Sequence, residues 1–253
     1  MDVLSGLPPG AVAAVQTLIL AYLRIQAVIL VLPAFSERFV TVRVRVSLAV
    51  ALTPAAAAFG MTFDATAQTG LGLFAALAAR EMLVGLLIAI PVRIMASALH
   101  VATSAIGATA SLSQLIGTGT EAAPHPIGNL MHMAGLAMLM AMGLPILMIE
   151  LIAQSYIAFP GARLTMGAGE LQGFIGLAAR SFVLAMTLAS PFILGGLLYQ
   201  LLTGVVNKVM PSLPVVFIGA PAIILMALVG LAVLAPSIIE LWTQAVLSSG
   251  LRL

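Results

Sequence analysis

Charge is scarce in this 253-residue sequence. Ten Lys and Arg and eight Asp and Glu make up 7% of the chain, against about 25% in an ordinary soluble domain. A soluble globule of this size cannot clothe its surface with so few charges. Cysteine is absent altogether, which excludes a disulfide framework, thiolate metal sites and a cysteine nucleophile. The only aspartates are Asp2 and Asp64, and neither lies in an apolar run, which disfavours an intramembrane aspartyl protease. No GxSxG elbow and no phosphate-binding GxxxxGK[ST] loop occurs. No Lys or Arg precedes the first apolar run and no clear small-residue cleavage site follows it. The first run is therefore expected to stay in the mature protein. The net charge of +2 is too small to point to nucleic acid.

Apolar residues are plentiful: 62% of the chain, with a mean hydropathy of +1.21. Disorder needs the opposite balance, so the composition reads as an integral membrane protein with no room for a soluble domain. At roughly 20 residues per crossing the length allows about six or seven spans. Apolar runs fall at about 11–33, 44–60, 71–103, 127–160, 171–203 and 213–247. They are long, continuous and rich in Ala and Leu, not the short alternating stretches of a membrane barrel. All six are expected to be helical, because a helix satisfies its own backbone groups in lipid. Pro91, Pro145, Pro191, Pro221 and Pro236 lie inside these runs. Each removes a helical hydrogen bond, so the expectation is of all-α, kinked or broken helix hairpins. The basic residues Arg38, Arg43 and Arg45 beside Glu37, and Lys208 further on, mark candidate cytoplasmic-side connections. That assignment puts the first, third and fifth connections in the cytoplasm and both termini outside.

Arg24, Arg80, Glu81, Arg93, Glu150, Arg180 and Glu240 sit in or near the spans. Ionisable groups at membrane depth usually face protein or water, so they suggest a buried assembly interface or an aqueous path. Snorkelling from helix ends is the other reading for Arg80, Arg93 and Arg180. Arg80 and Glu81 are neighbours in sequence, point to different helix faces and are not expected to pair along the helix. His100, His125 and His132 fit no metal-binding spacing. The sequence contains no catalytic constellation, and neither a metal nor a cofactor is expected.

Two stretches stand apart. SAIGATASLSQLIGTGTEAAPHP (Ser104–Pro126) is rich in Gly, Ser and Thr between two apolar runs. It reads either as an exposed connection or as a re-entrant, plug-like loop in which Leu112, Ser113, Gln114, Leu115 and Ile116 obstruct a pore. The second stretch carries Met131, Met133, Met138, Met140, Met142 and Met148. Flexible thioethers suit a deformable seal, with Met138, Met140 and Met142 as candidate gate residues; they also bind soft metals, or simply fill apolar space.

The run LPAFSERFVTVRVRVSLAVALTPA (Leu32–Ala55) resembles the early signature of the FliR family, the export-gate subunit of the flagellar type III secretion apparatus. LLTGVVNKVMPSLPVVFIGAPAIILMALVGL (Leu201–Leu231) is similar to the family's leucine-rich helix, Asn-basic-apolar-apolar-Pro piece and Gly-x-Pro before the last span. Ala105–Gly107, Leu112–Ser113 and the Ser155–Gly161 run follow in the expected order, so the resemblance covers about residues 15–245. The central loop departs from the family pattern in lacking an Asp-Pro. The resemblance implies a single membrane domain, with residues 1–170 FliP-like and 171–253 a FliQ-like hairpin. It implies a non-enzymatic pore subunit that joins FliP-like and FliQ-like partners, contacts an FlhB-like switch protein and passes unfolded export substrates. The expected setting is the bacterial inner membrane at the flagellar basal body, or a related virulence secretion machine. The rival is a secondary transporter of a small solute or soft metal ion; such proteins show paired halves with broken helices in matching positions, and no convincing repeat is present.

Overall fold

The computed structural model describes residues 8–58, 71–110, 126–159, 168–210 and 215–250. Seven helices and no strand occur among them: α1 Pro9–Val31, α2 Val42–Ala58, α3 Leu71–Ala110, α4 Pro126–Ala141, α5 Leu144–Ala158, α6 Ala168–Val209 and α7 Val215–Gly250. Each expected apolar run holds a helix over its described residues, and the 127–160 run is divided into α4 and α5. Four helices are long and apolar enough to cross a membrane: α1, α3, α6 and α7. Counting the broken pair α4 and α5 as one crossing gives up to five. At 17 residues α2 is shorter, and Arg43 and Arg45 occupy its first turn. The chain is an all-α polytopic membrane protein.

The prolines break fewer helices than the sequence suggests. Pro91 lies within the 40 residues of α3, Pro191 within the 42 of α6, and Pro221 and Pro236 within the 36 of α7. Proline leaves the carbonyl four residues earlier without its donor. At Pro191 that carbonyl belongs to Thr187, and the Ser190 hydroxyl donates to it at 2.8 Å. Among the described residues the one break inside an apolar run lies at Met142–Gly143, where Gly143 has φ +113°, a conformation that a Cβ disfavours. Pro145 follows at the second position of α5, where its missing N–H costs no helical bond.

The fold clusters into two compact units. The first comprises residues 1–93, 143–175 and 247–253; the second comprises 94–142 and 176–246. In the first unit α2 packs along α1 through Ala49, Thr53 and Ala56, a stripe of small buried side chains at helical spacing. Leu20, Ile25, Val28 and Ile29 of α1, Val84, Ile88 and Val92 of α3, and Leu147, Leu151 and Ile152 of α5 fill the core. In the second unit Leu99 and Ala102 of α3, Leu136 and Leu139 of α4, Leu188 and Phe192 of α6, and Ile238, Trp242 and Val246 of α7 are buried. Trp242 is wholly enclosed, and its indole N–H donates to the Ala96 carbonyl at 3.2 Å.

Candidate functional site

Arg24 lies two turns before the end of α1 and is 1% exposed. Its Nε donates to Oε2 of Glu81 on α3 at 2.6 Å, and its Nη1 donates to the Ser155 hydroxyl of α5 at 3.1 Å. The guanidinium carbon lies 4.0 Å from the centre of the Tyr156 ring, a cation–π contact. The Ser155 hydroxyl in turn donates to the Ile152 carbonyl at 2.6 Å. Three helices of the first unit are thus tied by one buried guanidinium. A lone charge at this depth would cost about 2.5–3.5 kcal/mol on insertion scales; the carboxylate and hydroxyl supply the compensation.

Arg80 joins the same group. Its Nη1 lies 3.5 Å from Glu81 Oε1, so the two neighbours do pair, contrary to the expectation from their spacing. The reason is length: a guanidinium on a three-carbon stem reaches around the helix to a carboxylate already fixed by Arg24. Close approach of the backbones makes the arrangement possible. A Cβ at Gly85 of α3 would collide with the Arg24 carbonyl oxygen and meet the Ala27 methyl at 2.8 Å.

A second cluster sits at the α1–α2 connection. Ala34 adopts a left-handed conformation, φ +68°, and turns the chain. Arg93 of α3 donates through Nη1 to the Ser36 hydroxyl at 2.8 Å and lies 3.7 Å from Glu37 Oε1. Arg45 donates through Nη2 to the Glu37 carbonyl at 2.5 Å. Glu37, Arg45 and Arg93 therefore form one structure, whereas Arg38 and Arg43 are exposed. Lys208, in the other unit, is exposed in the last turn of α6, where the helix dipole favours a cation.

The methionine run separates by helical phase. Met131 and Met148 are buried; Met133, Met138, Met140 and Met142 are exposed. Met138 and Met142 are one turn apart and their backbones are hydrogen-bonded at 2.8 Å; Met140 points elsewhere. The candidate plug residues Leu112, Ser113, Gln114, Leu115 and Ile116 lie outside the described residues. The flanking residues 104–110, expected to be irregular, belong instead to α3. There the Ser104 hydroxyl donates to the Val101 carbonyl at 2.8 Å, so this polar stretch is accommodated within a helix. Glu150, Arg180 and Glu240 are exposed. His100 and His132 stack edge to face at 6.1 Å, but no group of three or more metal-ligating side chains occurs among the described residues.

The sequence marked Arg24, Arg80 and Glu81 as costly but did not join Arg24 to Glu81, Ser155 and Tyr156. The available signal was opposite charge in two different apolar runs. Ser155 entered only as the first residue of the Ser155–Gly161 run, and Tyr156 carried no signal of its own.

Buried charges that brace helices and long helices with exposed apolar faces define a polytopic membrane protein. The profile of the family "Bacterial export proteins, family 1" matches residues 15–249, and the chain belongs to that family. It is also 27% identical over 227 residues to the flagellar biosynthetic protein FliR of Caulobacter vibrioides, covering 89% of this chain and 90% of that protein. Neither match supports a small-solute or soft-metal transporter.

Proposed function

We propose that this export protein is a structural, pore-forming subunit of the flagellar type III export gate in the inner membrane. The observation that carries this reading is the family match across nearly the whole chain, supported by the FliR relative. The helices suit the role. In its most apolar window α7 has only 11% of residues buried, against 56% in α3. Leu225, Leu228, Val229 and Val233 of α7 and Leu197, Leu201 and Val205 of α6 are all exposed. In the gate, FliP-like and FliQ-like subunits cover these faces, and an FlhB-like protein meets the cytoplasmic side near Glu37, Arg38, Arg43, Arg45 and Lys208. The loop carrying Leu112, Ser113, Gln114, Leu115 and Ile116 plugs the passage at rest, and Met138, Met140 and Met142 seal around it with deformable thioethers. Unfolded substrate displaces loop and thioethers. The chain makes and breaks no bonds in that substrate, and the energy comes from elsewhere in the apparatus at the basal body.

The test is export itself. Cells lacking this chain should release no flagellar hook or filament protein into the medium, and a plasmid copy should restore release. Undiminished secretion in the deletion strain would overturn the reading.

A further inference from the structure

The Arg24–Glu81 group holds one guanidinium too many. Glu81 already accepts from Arg24 at 2.6 Å, and the same carboxylate lies 3.5 Å from Arg80 Nη1. Two cations on one carboxylate leave a net charge of +1. The Arg80 side chain is only 12% exposed; its Nε and Nη2 are enclosed by the chain without an acceptor, so nothing inside offsets the surplus charge and Nη1 is the nitrogen left for an outside group. Arg80 precedes Arg93 by thirteen residues in the unbroken α3, or about 20 Å at 1.5 Å per residue. Arg93, half exposed beside Glu37, suits a membrane boundary. Across a hydrocarbon layer about 30 Å thick, that spacing sets Arg80 within the membrane, where a surplus charge calls for a counter-ion. Among the described residues no second acidic side chain pairs with it.

We infer that Arg80 is the docking point for an acidic side chain on a membrane helix of a neighbouring subunit. The surface beside it fits a helix better than lipid. Gly72, Ala75, Ala76 and Ala79 are all exposed on this part of α3, and a Cβ on Gly72 would meet nothing within 4 Å. Small side chains let two helix backbones approach closely, which brings a short carboxylate within reach of Arg80. An acyl chain supplies no anion, and a headgroup phosphate would have to leave the interface. This site rests on the gate assembly proposed above and names one of its contacts.

The test substitutes Arg80 in the full chain, in its native cells, and measures co-purifying subunits in mild detergent against this chain's own level in the membrane. Arg80→Lys should keep the partners. Arg80→Gln should reduce their recovery by at least about tenfold, the scale of a buried charge left unpaired. Arg80→Glu should abolish recovery, and reversing one intramembrane acidic residue of a partner to Lys should restore it. If Arg80→Glu does not accumulate, Arg80→Cys in this cysteine-free chain, treated in isolated membranes with copper phenanthroline as oxidant, should form a disulfide with a cysteine placed at that partner's acidic position. Undiminished recovery with both Arg80→Gln and Arg80→Glu would overturn the site. So would partners retained while bound phospholipid phosphate falls, or the absence of any disulfide. If the unaltered chain recovers no partners, the assembly reading fails, and this site with it. Secretion abolished by deletion together with normal recovery in the variants would overturn the site alone.

Discussion

Removing Glu81 leaves two buried guanidiniums without their counterpart, so Glu81→Gln should destabilise the chain by about 3–5 kcal/mol, the range for orphaning one member of a buried pair. Arg24→Met leaves Glu81 beside Arg80, 3.5 Å away, and should cost less. The check is thermal unfolding in detergent together with membrane abundance. Ser155→Ala removes one acceptor of Arg24 and should cost less, about 1–3 kcal/mol. Gly85→Ala tests the backbone approach that permits the pair. Its new methyl group would strike the Arg24 carbonyl, so a loss of about 1–3 kcal/mol from overpacking is expected. Gly195→Ala should be nearly neutral, because its nearest neighbour, the Met226 methyl, is 3.7 Å away. At this scale the sequence was partly legible. Charged residues in apolar runs stand out by their cost, so Arg24, Arg80 and Glu81 were found at once. Their pairing was not, because Arg24 and Glu81 are 57 residues apart and Arg24 and Ser155 are 131 apart. Only the packed fold brings them together.

Among the helices, hydrophobic run length located every described element, since lipid leaves the backbone few alternatives to helix. Breakage was less legible, because the cost of a proline depends on what covers the carbonyl it abandons. At Pro191 a neighbouring serine does so, and Ser190→Ala should lower stability by about 1 kcal/mol while Ser190→Thr preserves it. The actual break depends on Gly143. Gly143→Ala should cost about 1–3 kcal/mol, because an L residue is strained at φ +113°; comparative unfolding midpoints in one detergent would show it. The methionine run illustrates the same limit. Six thioethers were visible in sequence, but which of them leave the core depends on the phase of α4 and on the turn after it.

For the whole molecule the chief feature is unfinished burial. The outer faces of α6 and α7 expose leucines and valines along most of their length, and lipid or sister subunits must cover them. Composition points to the membrane setting and the family resemblance to an assembly; burial marks α6 and α7 as the helices with the most apolar surface left to cover. The proposed plug offers a separate prediction. Deleting residues 111–118 from an otherwise assembled gate should make cells leak ions, read as a collapse of membrane potential. A tight membrane with normal assembly would remove Leu112, Ser113, Gln114, Leu115 and Ile116 from the role of obstruction.

In the proposed function this chain works only together with other membrane subunits around a passage for polypeptide. The most direct measurement is the native mass of the complex purified from its own membranes in mild detergent through a tag on this chain. The account predicts a mass several times the 25.9 kDa of the chain, with other membrane subunits present in fixed ratio. A stable, folded particle containing one copy of this chain and nothing but lipid and detergent would contradict it.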